Sequence, residues 1–188
     1  MPKIVVTKEE WIQKGQKYFS IGGSEALLIE KMARELGCSK SSFYWYFGNR
    51  EEFITCVVDD WVKRATHEVI DHTLTEGNID NQIKKLLTAM FSTTSAGDFV
   101  FYLRRLGQEN ERYQQLLDTI ENKRVDFMIS LLQARGLSEK SAQQKAFVMY
   151  HFYLGWYERN KHREHLDDTA KLVDLLWQTK IETREVSG

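Results

Sequence analysis

Only one proline stands in the 188 residues, and it is the second, so from Lys3 onward no residue lacks the backbone N–H that a helix requires. Leu, Glu, Lys, Gln and Ala recur in long runs, which adds helix propensity, and leaves glycine as the residue available to stop each helix. The expected fold class is therefore all-α, with about nine helices by periodicity. A hydrophobic content of 42% provides a core for one domain or two small ones. No apolar run approaches the roughly 18 residues that a membrane span needs. No charged-then-apolar leader opens the chain, and two cysteines, Cys38 and Cys56, do not make a disulfide framework, so a cytoplasmic location is expected.

The most informative stretch is Cys38 to Phe53, C-S-K-S-S-F-Y-W-Y-F-G-N-R-E-E-F. Gly37 fits the left-handed stop of a preceding helix, Ser39 is placed to cap the next, and Gly48 to stop that one in turn. Asn49 then caps a third helix, with Glu52 where a capping box wants an acid. About two turns fit between Ser39 and Gly48, too few to be stable alone. Phe43 and Phe47, four apart, supply its buried stripe, leaving Lys40, Ser41, Ser42, Tyr44, Trp45 and Tyr46 with less interior to occupy. A pinned helix with an outward Lys, Ser and aromatic face suits insertion into a DNA major groove.

The string S-K-S-S-F-Y-W-Y-F-G-N-R-E-E-F resembles the recognition helix and following helix start of the tetracycline-repressor (TetR) family of bacterial transcriptional regulators, whose usual form is S-K-G-T-L-Y-x-Y/H-F-x-x-K-E-x-L. Upstream, Phe19, Gly23, Met32, Ala33 and Gly37 fall where that family has its first-helix aromatic, turn glycine, Ile-Ala pair and second turn glycine. The likeness covers about the first 55 residues. It implies a three-helix helix-turn-helix DNA-binding domain over residues 1–50 and a helical effector-binding and dimerisation domain over 51–188. Two departures stand out: Leu27 and Leu28 replace the family's helix-capping, phosphate-touching Thr or Ser, and Ser41 replaces its common Gly.

Along the chain, Thr7 and Glu10 form a capping box for the first helix, and the second is expected from about Glu25 to Leu36, capped by Ser24, with Leu28, Ile29, Met32, Ala33 and Leu36 inward. A connecting helix runs from Glu51 to about Thr75. Asp80 is expected to cap the next helix, which ends at Ser95-Ala96-Gly97, and Asp98 opens a short one. A longer helix spans about Glu109 to Arg135, stopped by Gly136. The last two helices are expected from Ser138 to about His162 and from Asp167 to about Thr183. The first of these carries Phe147, Tyr150, Phe152, Tyr153, Trp156 and Tyr157, too many aromatics for one stripe. In the resembling family the last two helices form a four-helix bundle with a second copy, which implies a homodimer.

Net charge is −1, which alone argues against a nucleic-acid binder, yet residues 1–50 hold eight Lys/Arg against five Asp/Glu and the rest hold 18 against 22, so +3 and −4 are separated along the chain. For contact with a double-stranded operator the candidates are Lys40 and Ser41 at base edges, Tyr44 one turn on, and Ser39, Ser42, Trp45 and Tyr46 at sugar or phosphate. Arg50 matches the family's phosphate-binding Lys. The alternative is that Tyr44, Trp45 and Tyr46 are core aromatics. For a small hydrophobic or aromatic effector the candidate lining is Phe99, Tyr102, Tyr113, Phe127, Tyr150, Tyr153 and Trp156, with His151 as a polar group, against the reading that such stripes are simply core.

Glu158, His162 and His165 have the spacing of metal ligands on one helix face, but their setting, E-R-N-K-H-R-E-H-L, reads as a solvated helix end, and no metal or cofactor is expected. Cys38, beside the recognition helix, reads as a turn residue rather than a redox switch. Catalytic signatures such as G-x-S-x-G or a P-loop are missing from the sequence, so an enzyme is not expected. The expected function is a homodimeric repressor of a palindromic operator, released by a small molecule. The alternatives are a DNA-binding dimer governed by a protein partner or ungoverned, and a helical metal-binding protein or enzyme.

Overall fold

The computed structural model describes residues 6–92, 98–161 and 169–178. Helix α1 (Lys8–Gly22) opens on the expected capping box: Thr7 Oγ1 accepts from Glu10 N at 3.2 Å, and Glu10 Oε2 accepts from Thr7 N at 2.7 Å. The second helix is shorter than expected. Gly23 has φ 65° and leads into a 3-10 turn over Gly23–Ala26, so α2 spans only Ile29–Glu35. Ser24 lies inside that turn and does not cap α2; Leu28 holds the N-cap position with extended backbone and no side-chain bond. The shift has a packing cause, since a Cβ at residue 23 would stand 2.8 Å from Tyr102 Cδ1. It also swaps two leucines: Leu27 is buried, and Leu28, expected inward, is 57% exposed.

Gly37, with φ 69°, stops α2 as expected, and α3 spans Lys40–Tyr46. Ser39 occupies its N-cap, but the hydroxyl makes no capping bond. Nor does Gly48 end α3 by a left-handed turn. Phe47 does so in extended backbone (φ −132°, ψ 122°), and the Gly48 N–H donates to Glu52 Oε2 at 2.9 Å. Asn49 caps α4 (Arg50–Val62), its Oδ1 accepting from Glu52 N at 2.9 Å.

From α4 the chain continues through a π-helical stretch, Lys63–Glu68, into α5 (Val69–Leu74), so the connecting helix exists but with a widened middle that periodicity did not announce. Next come α6 (Ile79–Ser92), α7 (Phe99–Glu109), α8 (Glu111–Ala134), α9 (Glu139–Asn160) and α10 (Thr169–Gln178). The cap of α6 is Asn78, whose Oδ1 accepts from Asn81 N at 2.8 Å; Asp80 instead lies in the first turn and pairs with Arg135 at 3.2 Å. Asp98 holds the N-cap of α7 without a side-chain capping bond, whereas Ser138 does cap α9, accepting from Ser141 N at 3.3 Å. Gly136, at φ 104°, closes α8 as expected. Counting the unbroken helical run from α4 to α5 once, the described residues contain nine helices and no strand. Ser95-Ala96-Gly97, His162, Glu164, His165, Asp167 and Thr183 lie outside the described residues.

By compactness the chain divides into one unit of Met1–Ala65 with Ala96–Asp118 and another of Thr66–Ser95 with Thr119–Gly188. The first is not the N-terminal 50 residues alone, because α4 supplies Phe53, Ile54, Val57 and Val58 to its core. Its centre is an aromatic quartet. Trp11 meets Phe43 edge-on at 5.3 Å, Phe43 meets Phe53 at 5.1 Å and Phe47 at 5.1 Å, and Phe47 meets Phe53 at 4.8 Å. All four are at most 1% exposed, so α1, α3 and α4 share one set of contacts that a two-turn helix needs. Gly15 lets α1 and α4 approach: a Cβ there would lie 2.6 Å from Val57 Cγ2. Helix α7 completes the unit, with Phe99 stacked on Trp61 at 4.5 Å and 6°, and Tyr102 OH donating to Ile21 O at 2.6 Å.

The second unit is built on Ile83, Leu86, Leu87 and Phe91 of α6, Met128, Leu131 and Leu132 of α8, Ala142, Ala146 and Met149 of α9, and Val173 of α10. Phe91 is its hub, meeting Trp156 at 5.0 Å and Tyr153 at 5.8 Å, both edge-on. Arg135 lies over the Trp177 ring at 3.5 Å. No described helix is long and apolar enough to cross a membrane.

Candidate nucleic-acid interface

The two faces of α3 are sharply different. Phe43 and Phe47 are buried in the quartet, which turns Lys40, Ser41, Tyr44 and Trp45, spaced i, i+1, i+4 and i+5, to the opposite side. Tyr44 is 58% exposed and Trp45 83%, so the reading of these two as core aromatics does not fit. Of the eight residues expected to meet DNA, six are exposed: Ser39, Lys40, Ser41, Tyr44, Trp45 and Arg50. Ser42 and Tyr46 are half-buried and already engaged. Ser42 Oγ accepts from Trp11 Nε1 at 3.4 Å, and Tyr46 OH donates to Val6 O at 3.0 Å, tying the segment before α1 to α3.

The uncapped hydroxyl of Ser39 is left facing outward at the start of α3, beside Lys40. Lys40 Nζ is paired with the carboxylate of Glu30 in α2, a partner that the sequence reading did not single out. Its only signal there was an acid in the first turn of α2. Arg50 Nη2 donates to Ser24 O, which bridges the start of α4 to the turn before α2. Glu35, by contrast, ties α2 to α1 at the surface: Tyr18 OH donates to it at 2.5 Å and Lys14 Nζ at 2.9 Å. The Tyr18 hydroxyl first, then Lys14, hold the Glu35 carboxyl below the usual carboxylate range. The surface thus offers an ammonium, a guanidinium, two serine hydroxyls and two large rings, which is the donor and stacking chemistry that a DNA backbone and base edges accept.

The residues expected to line an effector site divide between the two units. Phe99, Tyr102 and Tyr113 belong to the first, where Phe99 packs on Phe19 and Trp61, Tyr102 on Gly23, and Tyr113 OH lies 3.4 Å from Thr55 Oγ1. Phe127, Tyr150, His151, Tyr153 and Trp156 belong to the second. Tyr150, Tyr153 and Trp156 gather beside the Phe91 core, Tyr150 and Tyr153 at 6.2 Å, and Phe127 packs against the same core. His151 is exposed instead, its Nδ1 2.8 Å from the carbonyl oxygen of Phe147 one turn back. Among the described residues no group of three His, Cys, Asp or Glu is placed to hold a metal ion, and Glu158 pairs with Lys161 at 2.8 Å. Cys38 and Cys56 are both half-buried thiols.

Residues 12–55 match the family model described as bacterial regulatory proteins, tetR family. Comparison with curated proteins finds no match. Among solved structures, a protein described as a TetR-family transcriptional regulator from Rhodococcus sp. is similar, with a TM-score of 0.66 and 15% identity over 89% of this chain and 95% of that one. The fatty acid degradation regulator FadR from Bacillus halodurans gives a TM-score of 0.64 at 14% identity, covering 93% of this chain and 100% of its own. FadR from Bacillus subtilis, solved in complex with stearoyl-CoA, gives 0.64 at 14% identity over 90% of this chain and 97% of its own. These likenesses establish a shared fold along nearly the whole chain. The match over residues 12–55 falls on the helix-turn-helix built from α1 to α4, so this N-terminal segment is a DNA-binding head of the kind found in the tetR family of bacterial regulatory proteins.

Proposed function

We propose that the chain acts in the cytoplasm as a homodimeric repressor that grips a palindromic operator through two copies of α3 and is released by a small hydrophobic or aromatic effector. The observation that carries the DNA part is the outward face of α3, where Lys40, Ser41, Tyr44 and Trp45 stand exposed on a helix locked from behind by Phe43 and Phe47. Residues 1–50 supply this reading head, and residues 51–188 the effector and dimer functions. Lys40 and Ser41 meet base edges, Tyr44 reads one turn further, and Ser39, Trp45 and Arg50 meet the backbone. Ser42 and Tyr46 contribute by holding the helix in place.

Dimerisation through α9 and α10 is supported by what they leave uncovered: Phe147, Val148 and Phe152 on α9 and Leu175 on α10 are large, apolar and exposed. For the effector, Tyr150, Tyr153, Trp156 and Phe127 of the second unit provide the aromatic lining. A regulator of this fold takes stearoyl-CoA, which agrees with an apolar effector here. Two recognition helices must lie about 34 to 36 Å apart, or a related multiple, to reach successive major grooves, so a ligand that alters this spacing releases the operator.

Selection of the purified protein against a random duplex library at about 0.15 M salt, where non-specific phosphate binding is weakened, tests the reading. An inverted repeat is expected. The variant carrying Lys40→Ala and Tyr44→Ala should lose specific binding while keeping its fold and its dimer. Undiminished affinity of that variant for the selected repeat overturns the assignment.

A further inference from the structure

The carboxylate that faces the recognition helix is not needed by the core, and its position gives it a different task. We propose that Glu30 is a positioning residue for Lys40 that sets the selectivity of DNA binding, by making the ammonium dear to a passing phosphate and available to an acceptor in the groove. The inference rests on α3 being the DNA-reading helix. Glu30 lies in the first turn of α2 and Lys40 is the first residue of α3; the Glu30 Oε1 accepts from Lys40 Nζ. The two side chains are 75% and 52% exposed, so the pair sits on the surface that α3 presents rather than beneath it.

A lysine ammonium is a compact charge on a flexible stem, and the commonest anions it meets on DNA are phosphates. Unrestrained at the tip of α3, Lys40 would strengthen binding to every sequence alike. Paired with Glu30 it has to leave one anion to reach another. Exposed ion pairs are weak, so the pair opens or shares its proton donors readily. A guanine O6 or N7 in the groove approaches the ammonium from the base side and takes one of its three N–H donors while Glu30 keeps another. A phosphate met in an unaligned encounter has no such arrangement to gain. Leu28, two residues before Glu30, works in the same direction: at 57% exposure it presents an apolar side chain at the start of α2, where a hydroxyl or cation would have attracted phosphate. Both features subtract from sequence-independent affinity at the edge of the head that carries the excess of Lys and Arg.

The test uses the full-length protein, the inverted repeat recovered by selection and an unrelated duplex of equal length, with affinities measured across a salt series for the wild type, Glu30→Gln, Lys40→Met and the double variant. Glu30→Gln keeps the shape and removes the charge. It should raise affinity for the unrelated duplex about three- to tenfold and steepen its log–log salt dependence by about one unit, as expected for one added phosphate contact. Affinity for the repeat should change less than about twofold, so the specificity ratio falls. In the Lys40→Met background the same change should have little effect on the unrelated duplex. An unchanged ratio overturns the proposal. So does an equal rise on both duplexes whether or not Lys40 is present, which is simple repulsion, or a lower melting temperature with equal losses on both, which is a structural strap. If the wild type enriches no sequence at all, the DNA reading of α3 fails and takes this inference with it, an outcome separate from the rest.

Discussion

Helices α3 and α9 each bury one aromatic stripe and expose another, and the company kept by the exposed rings separates their uses. On α3, Tyr44 and Trp45 stand among Lys40, Ser39 and Ser41, so the rings are surrounded by hydrogen-bond donors. On α9, Phe147 is 58% exposed, Val148 54% and Phe152 43%, and the residue between them, His151, rests its ring against Phe147 at 4.0 Å and points Nδ1 back at its own helix. Rings among donors suit a polyanion with flat bases. A nearly unbroken apolar face suits another apolar face, and in the proposed homodimer a second copy of α9 would provide one. Exposure of an aromatic therefore says little until its neighbours one turn away are counted.

The largest effect expected from this comparison is within α3 itself. Phe43→Ala removes a fully buried ring from the quartet and should cost about 3 to 5 kcal/mol of stability. Tyr44→Ala, one residue on, should change stability by less than about 0.5 kcal/mol while weakening operator binding. Thermal or urea melts followed by circular dichroism check both. Similar losses from the two would mean that α3 does not have one structural and one functional face.

The next effect addresses α9. If α9 pairs with a second copy as proposed, replacing Phe147 and Phe152 together by Glu places four charges in that symmetric contact and should weaken the dimer at least about 100-fold, near 2.7 kcal/mol, with helix content unchanged. Sedimentation velocity reads the outcome. A variant that still sediments as the wild type would leave the exposed face of α9 without the role argued for it, and the contrast with α3 would have to be redrawn.

Much of this was legible in the sequence because helix ends are chemically local. Thr7 with Glu10, Asn49 with Glu52, Ser138, Gly37 and Gly136 all act within a few residues of where they stand, and each sits at the boundary expected of it. The misplaced boundaries were set from further away. Helix α2 starts late because Gly23 turns left-handed against Tyr102, some 80 residues distant. The π-helical stretch Lys63–Glu68 was hidden because its exposed Lys63, Arg64, His67 and Glu68 give no apolar phase from which to detect an extra residue per turn. Distance also accounts for the effector candidates: Phe99, Tyr102 and Tyr113 have the spacing of a lining, and only three-dimensional packing shows them holding α1 and α4.

A smaller effect separates the two roles open to Tyr102, holding α1 and lining an effector site. Tyr102→Phe keeps the ring beside Gly23 and loses only the 2.6 Å hydrogen bond to Ile21 O, so it should cost about 1 kcal/mol of stability. An effector-lining role for the hydroxyl predicts something else, unchanged stability with altered release from the operator. Measuring melting and release on the same variant decides which applies.

The smallest expected effect carries the sharpest contrast between capping and contact. Thr7 and Ser39 are both N-cap hydroxyl residues preceding a helix of the reading head, but Thr7 Oγ1 accepts from Glu10 N and Ser39 Oγ accepts from none of the α3 amides. Thr7→Ala should cost about 1 kcal/mol, and Ser39→Ala close to nothing in stability. What Ser39→Ala should lose is affinity, a few-fold, equally for operator and unrelated duplex, because a hydroxyl at the edge of α3 reaches the backbone rather than a base. If Ser39→Ala instead destabilises as much as Thr7→Ala and leaves DNA binding intact, the hydroxyl caps α3 in solution. The outward face of that helix would then begin at Lys40, and its hold on phosphate would rest on Arg50 and the exposed ring of Trp45.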